Sequence, residues 1–413
     1  MVNLSFSDYE GTISGLETFS DGEAAFLLLK TSDGLEGWGE FGGKDVDITL
    51  ELFHRRVAPV VHGKKINDPG ALIELVIRFE LNYKMMGVQL SKAIAGLDSA
   101  VWDTLGKRYQ KSVCELISGK CLQPYPCYAS SISRKISGEK LATKLNQLRV
   151  DHGIQAFKIK IGKRMGKDED EWEGRTEEVV KGCRTTLGID CLIGVDANGA
   201  YENVETAKNV ASFLEEHKIW FFEEPFPWVD YDKYTALQKF LEEEKLDIFV
   251  AGGEQEFRLD IWKLMIIKNH NRPFLASQPD FGYCGGPTIA FTILKLSQQH
   301  GLTFMPHSPQ GDLMPVMAWQ MLCASNPGTC SHIELACVDD GIAQIKLDPK
   351  SGEYSTKYFQ PAVQVKNGKF SLKHHDEKPI VGWGIQMNKQ WLAASSQVIF
   401  SPDSDSATKR SAL

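Results

Sequence analysis

The sequence predicts an α/β protein: a (β/α)7–8 barrel of the TIM type with an α+β capping domain at its N-terminus, completed by C-terminal segments. Three observations predict it. Asp196, Glu223, Glu254, Asp280 and His307 each stand just after a short apolar run, at intervals of 26 to 31 residues. That interval holds one strand, a loop, a helix and a loop, a βα unit of roughly 30 residues. Apolar runs alternate with helical patterns from Tyr125 onward, whereas residues before it and after 340 break the alternation.

A chain of 413 residues exceeds one ordinary core, so two domains are expected, one of them a large barrel. Hydrophobic content of 42% with 24% charged residues is that of a soluble globular protein, and no apolar stretch reaches the roughly 20 residues of a membrane span. A formal charge of −8 argues against nucleic acid as a partner, since such binders carry a basic face. The first residues lack the basic and apolar regions of a signal peptide. Nine scattered cysteines without a CxxC pair read as reduced thiols of a cytoplasmic protein. The end, Ser411-Ala412-Leu413, distantly resembles the Ser-Lys-Leu peroxisomal address but lacks its basic middle residue.

Taken in order, residues 1–123 form the α+β unit. Residues 24–29 and 34–40 read as two strands joined at Asp33-Gly34. Ala93, Leu97, Ala100, Val101 and Leu105 follow on one apolar helix face. The barrel spans 124–340. Its strands are expected at 127–131, 156–161, 191–196, 219–223, 248–251, 274–276, 302–305 and 332–337, and its helices near 137–152, 169–187, 203–217, 231–245, 258–270, 287–300 and 312–325. Turn-rich short strands over 341–395 are expected to pack back on the N-terminal unit, with Trp383 and Trp391 as core or domain-contact aromatics. Residues 401–413, polar and Ser/Asp-rich, read as a flexible tail.

The chemistry follows from placement. Asp196, Glu223 and Glu254 would stand side by side at the carboxyl ends of three consecutive parallel strands. Read singly, each is an ordinary helix N-cap. Three together repel unless a hard divalent cation, typically Mg²⁺, bridges them. Lys158 and Lys160 lie two apart on a strand and so share its inner face. Two neighbouring buried ammoniums depress each other's pKa, which would leave Lys160 a base near neutral pH with Lys158 as its modulator. Asp280 and His307 are one unit apart, so a carboxylate–imidazole bond would make His307 a second acid or base.

These residues stand in motifs that resemble the enolase superfamily, in its mandelate racemase-like subgroup, over nearly the whole chain to about residue 340. Residues 93–107 look like the family's long helix at the domain junction, and Gly37-Trp38-Gly39-Glu40 like its N-terminal hairpin. Lys158-Ile159-Lys160 resembles the Lys-x-Lys base motif, whose second lysine acts on the substrate. Val195-Asp196-Ala197-Asn198-Gly199, Glu223-Glu224-Pro225 and Gly253-Glu254 resemble the three metal-ligand motifs, with the first glutamate of the pair as ligand. Gln278-Pro279-Asp280 and His307-Ser308 match the Asp–His dyad, and Glu334 the acid after the last strand.

The resemblance implies Mg²⁺ held by Asp196, Glu223 and Glu254, and a small carboxylate substrate approached by Asn198, Lys158 and a protonated Glu334. Lys160 or His307 then removes the proton α to the carboxylate. Dehydration of an acid sugar is the first reading, because the Asp–His dyad accompanies dehydratases within the resemblance. Racemisation or epimerisation of a 2-hydroxy acid is the alternative. Cycloisomerisation ranks third, since such enzymes look to have a lysine where this chain has His307. A scaffold that has lost catalysis would be expected to have lost ligands. Selectivity is expected from capping-domain loops at 18–24 and 41–47, which carry Asp21, Glu23, Lys44 and Asp45, with Arg134 and Trp228 as further pocket candidates. The resemblance also implies a homo-oligomer.

Overall fold

The computed structural model describes residues 4–267, 272–308, 312–341, 345–373 and 377–402. The peroxisome-like ending and nearly all of the expected tail lie outside these residues. The N-terminal unit opens with an antiparallel meander, β1 (Ile13–Ser20), β2 (Ala25–Thr31) and β3 (Glu36–Glu40). Strand β1 was not expected. Gly15, Thr18 and Ser20 break its apolar pattern, although Leu16 and Phe19 are buried. Residues 18–20 are therefore strand rather than loop, and only the turn between Ser20 and Ala25 remains. Asp21 closes that turn by accepting from the Glu23 and Ala24 amides, both at 3.0 Å.

Helices α1 (Val46–Leu52), α2 (Ala58–Val61), α3 (Pro69–Asn82), α4 (Val88–Tyr109) and α5 (Val113–Ser118) follow. Asp68 caps α3 through the Ala71 amide, with Pro69 in its first turn. Helix α4 is buried on nearly every side, because β3 covers one face and the barrel the other. The contact with β3 is glycine-dependent: a Cβ on Gly39 would meet the Gly96 carbonyl oxygen at 2.3 Å.

The barrel alternates as the repeat demands: β4 (Tyr125–Ser130), α6 (Gly138–His152), β5 (Ala156–Lys160), α7 (Arg175–Leu187), β6 (Leu192–Asp196), α8 (Val204–Glu216), β7 (Phe221–Glu223), α9 (Tyr231–Glu243), β8 (Phe249–Gly252), α10 (Leu259–Ile267), β9 (Ala276–Ser277), α11 (Pro287–Gln299), β10 (Thr303–Phe304), α12 (Met314–Ala324) and β11 (Ile333–Leu335). Neighbouring strands pair in parallel from β4 through β10. The ring closes where β11 pairs β4 and Phe304 bridges to Cys330. Tyr128, Ala156, Phe221, Ala251, Ala276 and Met305 fill the interior as a separate apolar cluster. Gly194 makes room there, since a Cβ would lie 2.2 Å from the Phe221 ring.

Helix α7 begins at Arg175, six residues later than 169. Gly174 adopts φ of 77°, outside the helical region, and stands as the residue before the first turn of α7. Asp168 instead accepts from the amides of Glu202 and Asn203, and Asp170 from that of Thr176, so the segment is a pinned loop.

The C-terminal segments are β12 (Glu353–Tyr354), β13 (Phe359–Gln360), β14 (Val363–Lys366), β15 (Lys369–Leu372), β16 (Gln386–Met387), α13 (Lys389–Ala394) and β17 (Ser396–Ile399). They divide. Hairpin β14–β15 joins the barrel through β4, while β17 adds a fourth strand to the N-terminal sheet beside β1. Trp383 is fully buried and donates to the Ser99 carbonyl at 2.8 Å, a burial that contributes on the order of 3 kcal/mol.

Candidate active site

Strand register sets the site. Lys160 pairs with Asp196, and Asp196 with Glu223, so three ionisable side chains stand level at the carboxyl ends of β5, β6 and β7. Glu254 follows β8. Carboxylate oxygens of Asp196, Glu223 and Glu254 all lie within 4.8 Å of one another, and all three residues are buried. Burial and the neighbouring Asp196, Glu334 and Glu254 charges, against Lys158, push Glu223 up to about 8. Three hard oxygen donors facing one point, one of them reluctant to ionise, fit a divalent cation such as Mg²⁺.

The two lysines meet these acids directly. Lys160 Nζ donates to Asp196 Oδ2 and, at 3.1 Å, to Asn198 Oδ1. Lys158 Nζ lies 2.6 Å from Glu223 Oε1, 2.8 Å from Glu334 Oε1 and 3.9 Å from Asp196 Oδ2. Burial opposes the Lys158 charge, but Glu223 and Glu334 outweigh it and hold the ammonium well above the usual lysine range. The expected depression of Lys158 is therefore corrected: its ammonium faces Glu223 and Glu334. The protonated Glu334 is corrected as well. Burial would raise its pKa, yet Lys158 and His307 draw it down to about 2 and keep it a carboxylate.

On the far side of the acids, Asp280 and His307 form an isolated parallel bridge beyond β9 and β10. His307 Nδ1 is 2.8 Å from Asp280 Oδ2, and its Nε2 is 3.1 Å from Glu254 Oε2. Burial disfavours the imidazolium, but Glu254, Glu334 and Asp280 overcome it and raise His307 to about 10. Barrel order runs β5, β6, β7, β8, β9, β10. Lys160 and His307 thus flank the acids from opposite sides. All nine sequence-derived site residues converge here.

The remaining candidates divide. Arg134 is buried and spent on carbonyl oxygens of Ile161, Gly162 and Asp196, so it braces the mouth rather than lining it. Trp228 is half-buried between β7 and α9. Asp21 and Glu23 both pair with Lys357 of the C-terminal segment, at 2.9 and 2.6 Å. The 41–47 loop does reach the barrel. A Cβ on Gly42 would meet the Gly282 carbonyl oxygen at 2.8 Å, just beyond Asp280, and Lys92 Nζ holds the Lys44 carbonyl at 3.1 Å.

Sequence reasoning assigned no role to Gln278, whose Nε2 donates to Glu223 Oε2 at 2.6 Å. Its signal was available: it stands two residues before Asp280. Glu224 was missed as well. It is buried at φ 40° with Oε1 unpartnered, and burial beside Glu254, Asp196 and Glu223 raises its pKa well above the carboxylate range.

Comparison with known proteins agrees with this architecture. The family described as Mandelate racemase / muconate lactonizing enzyme, N-terminal domain, matches residues 13–118, and that described as Enolase C-terminal domain-like matches residues 140–391. Arabinonate dehydratase from Saccharolobus solfataricus is 26% identical over 369 residues, 87% of each chain. D-galactonate dehydratase from Pectobacterium atrosepticum is 25% identical over 70% of this chain and 72% of its own. A Roseobacter denitrificans crystal structure, provisionally assigned as a racemase, superposes with a TM-score of 0.82 at 30% identity, covering 94% of this chain and 99% of that one. The same fold recurs at 19% identity and a TM-score of 0.75 in L-talarate dehydratase from Polaromonas sp. JS666, crystallised with Mg and L-glucarate, covering 94% of this chain and 99% of that one. The chain belongs to the enolase superfamily, in its mandelate racemase and muconate lactonizing enzyme group.

Proposed function

We propose that this protein is a Mg²⁺-dependent hydro-lyase that removes water from an acid sugar to give a 2-keto-3-deoxy acid. One observation carries the reading: a lysine and a histidine stand on opposite flanks of a three-carboxylate cluster. Asp196, Glu223 and Glu254 would hold the ion, whose chemistry is to set positive charge against the oxyanion developing on the substrate and to relieve Lys160 of neutralising Asp196. Lys160, as the free amine, takes the proton from the carbon α to the substrate carboxylate, leaving an enediolate. His307, held protonated by Asp280 and its acidic neighbours, gives its proton to the β-hydroxyl, which departs as water. The enol left behind tautomerises to the 2-keto acid. Lys158 stays charged and screens Glu223 from Glu334.

Relatives named as arabinonate and D-galactonate dehydratases support this choice. Racemisation is the second reading, supported by the provisional racemase at 30% identity. It uses the same two groups, with Lys160 taking the proton from one face and His307 returning one to the other. We place the protein in the cytoplasm as a homo-oligomer acting on a small carboxylate. Nine unpaired cysteines fit a reducing compartment, and no helix among the described residues is long and apolar enough to cross a membrane.

The test is proton NMR with Mg²⁺ in D₂O against a panel of acid sugars and simple 2-hydroxy acids. Growth of a 2-keto-3-deoxy product, abolished by chelator, is the expected result. Deuterium entering the α-position without a new product would favour the racemase reading. A protein indifferent to both metal and panel would sink the proposal.

A further inference from the structure

We propose that Arg164 holds a second anionic group on the substrate, the distal carboxylate of a dicarboxylic sugar acid, so that the site selects aldaric over aldonic acids. The inference rests on the acid-sugar reading above and sharpens its substrate class.

Three cationic groups converge on one oxygen. Asn198 Oδ1 faces Lys160 Nζ at 3.1 Å, Arg134 Nη2 at 3.1 Å and Arg164 Nη2 at 3.4 Å. An amide oxygen offers two lone pairs, so one of these donors is surplus. Lys160 is also engaged by Asp196, and buried Arg134 by three backbone carbonyls. Arg164 differs from both. It is exposed, its contact is the longest of the three, and it forms no ion pair among the described residues.

Three of the five acids on the same loop, Asp168, Glu169 and Asp170, are already occupied. Glu169 pairs with Lys163 at 2.6 Å, Asp168 accepts from two backbone amides, and Asp170 accepts from the Thr176 amide. The loop is also fixed in place. The Met165 amide donates to the Asn198 carbonyl at 3.2 Å and the Asp168 amide to the Ala200 carbonyl at 2.9 Å. Arg164 is thereby held at the barrel mouth, ready to receive an anion without reordering the backbone.

Position and charge name the anion's class. Asn198 Nδ2 contacts Asp196 Oδ2 at 3.2 Å and Glu224 Oε2 at 3.4 Å. One side-chain amide therefore separates Arg164 from the carboxylate cluster, a span that a single small acid bridges. An aldonic acid would present only a hydroxyl to the guanidinium, whereas an aldaric acid presents a planar carboxylate that matches its fork. The second negative charge also needs a local cation in a mouth ringed by acids.

The test measures thermal midpoints against increasing ligand, with Mg²⁺ fixed, for configuration-matched pairs: D-glucarate with D-gluconate, and galactarate with D-galactonate. Midpoint shifts give relative affinities. The wild type should bind the better diacid at least about tenfold more tightly than its monoacid, the worth of one charge-assisted bidentate pair. In Arg164→Met that ratio should collapse toward one, with Arg164→Lys intermediate. A wild-type ratio near one, an unchanged ratio in Arg164→Met, or no protection by any diacid would overturn the proposal. Exchange of the α-hydrogen with D₂O, followed on the same samples, reports separately on the acid-sugar reading. A retained binding ratio without exchange would sink that reading and leave Arg164 as an anion site.

Discussion

Lys158 and Lys160 share a strand face, yet their partners set them apart. Lys158 bridges Glu223 and Glu334 and is locked as a cation, whereas Lys160 touches Asp196 and Asn198 at the edge of the same cluster. Replacing Glu223 with Gln removes one donor oxygen and one of the two carboxylates that Lys158 bridges. The Glu223→Gln protein should stay folded, lose any Mg²⁺-dependent rise in thermal midpoint, and turn over slower by about 10²–10⁴-fold. Full activity with normal Mg²⁺ dependence would sink the metal assignment. At this scale the positions were legible because chemistry in such barrels stands at strand carboxyl ends. The pairings were not. The Gln278–Glu223 bond joins residues 55 apart, and only strand order brings them together. For Lys158 the charge argument failed for the same reason: it counted the neighbouring ammonium and not the carboxylates across the barrel.

Elements carry the site through close backbone contacts. Strand β3 lies so near α4 that a Cβ on Gly39 would stand 2.3 Å from the Gly96 oxygen and 2.4 Å from the Ala100 nitrogen, both rigid helix backbone. Gly39→Ala should destabilise the protein by about 2–4 kcal/mol, read as a lower denaturant midpoint at unchanged slope. An unchanged midpoint would show that the sheet can lift from α4 without cost. The long barrel helices were legible from periodicity, and apart from the start of α7 and the expected end of α10, which lies outside the described residues, their observed bounds lie close to the expected ones. Two features were hidden. Strand β1 carries small polar residues where its register needs apolar ones, and the start of α7 gives way to a loop that runs to left-handed Gly174 and holds three further left-handed residues that are not glycine.

The whole molecule depends on the seam between capping unit and barrel. There Asp98 of α4 is fully buried and accepts from the Thr288 amide and hydroxyl of α11, both at 2.6 Å. Burial outweighs those bonds and raises its pKa to about 7. A raised carboxyl holds its proton in the folded state over a range where the unfolded chain has released it. Its contribution is therefore complete below about pH 4 and lost as pH rises through about 7, on the order of 2–4 kcal/mol. Denaturant midpoints at pH 5 and pH 8 should differ less in Asp98→Asn than in the wild type, and an equal difference would contradict the assignment. The barrel and its capping unit were legible as a repeat and its interruption, whereas the split of the C-terminal segments between the two was not. Their pairing with β4 and β1 joins strands far apart in sequence. The account's central claim is that opposite flanks of one metal cluster do different proton transfers. The direct measurement is α-hydrogen exchange in D₂O alongside product formation, in Lys160→Ala and His307→Asn. We expect Lys160→Ala to do neither, and His307→Asn to exchange the α-hydrogen without releasing product. Product from His307→Asn at the wild-type rate, or exchange retained in Lys160→Ala, would contradict it.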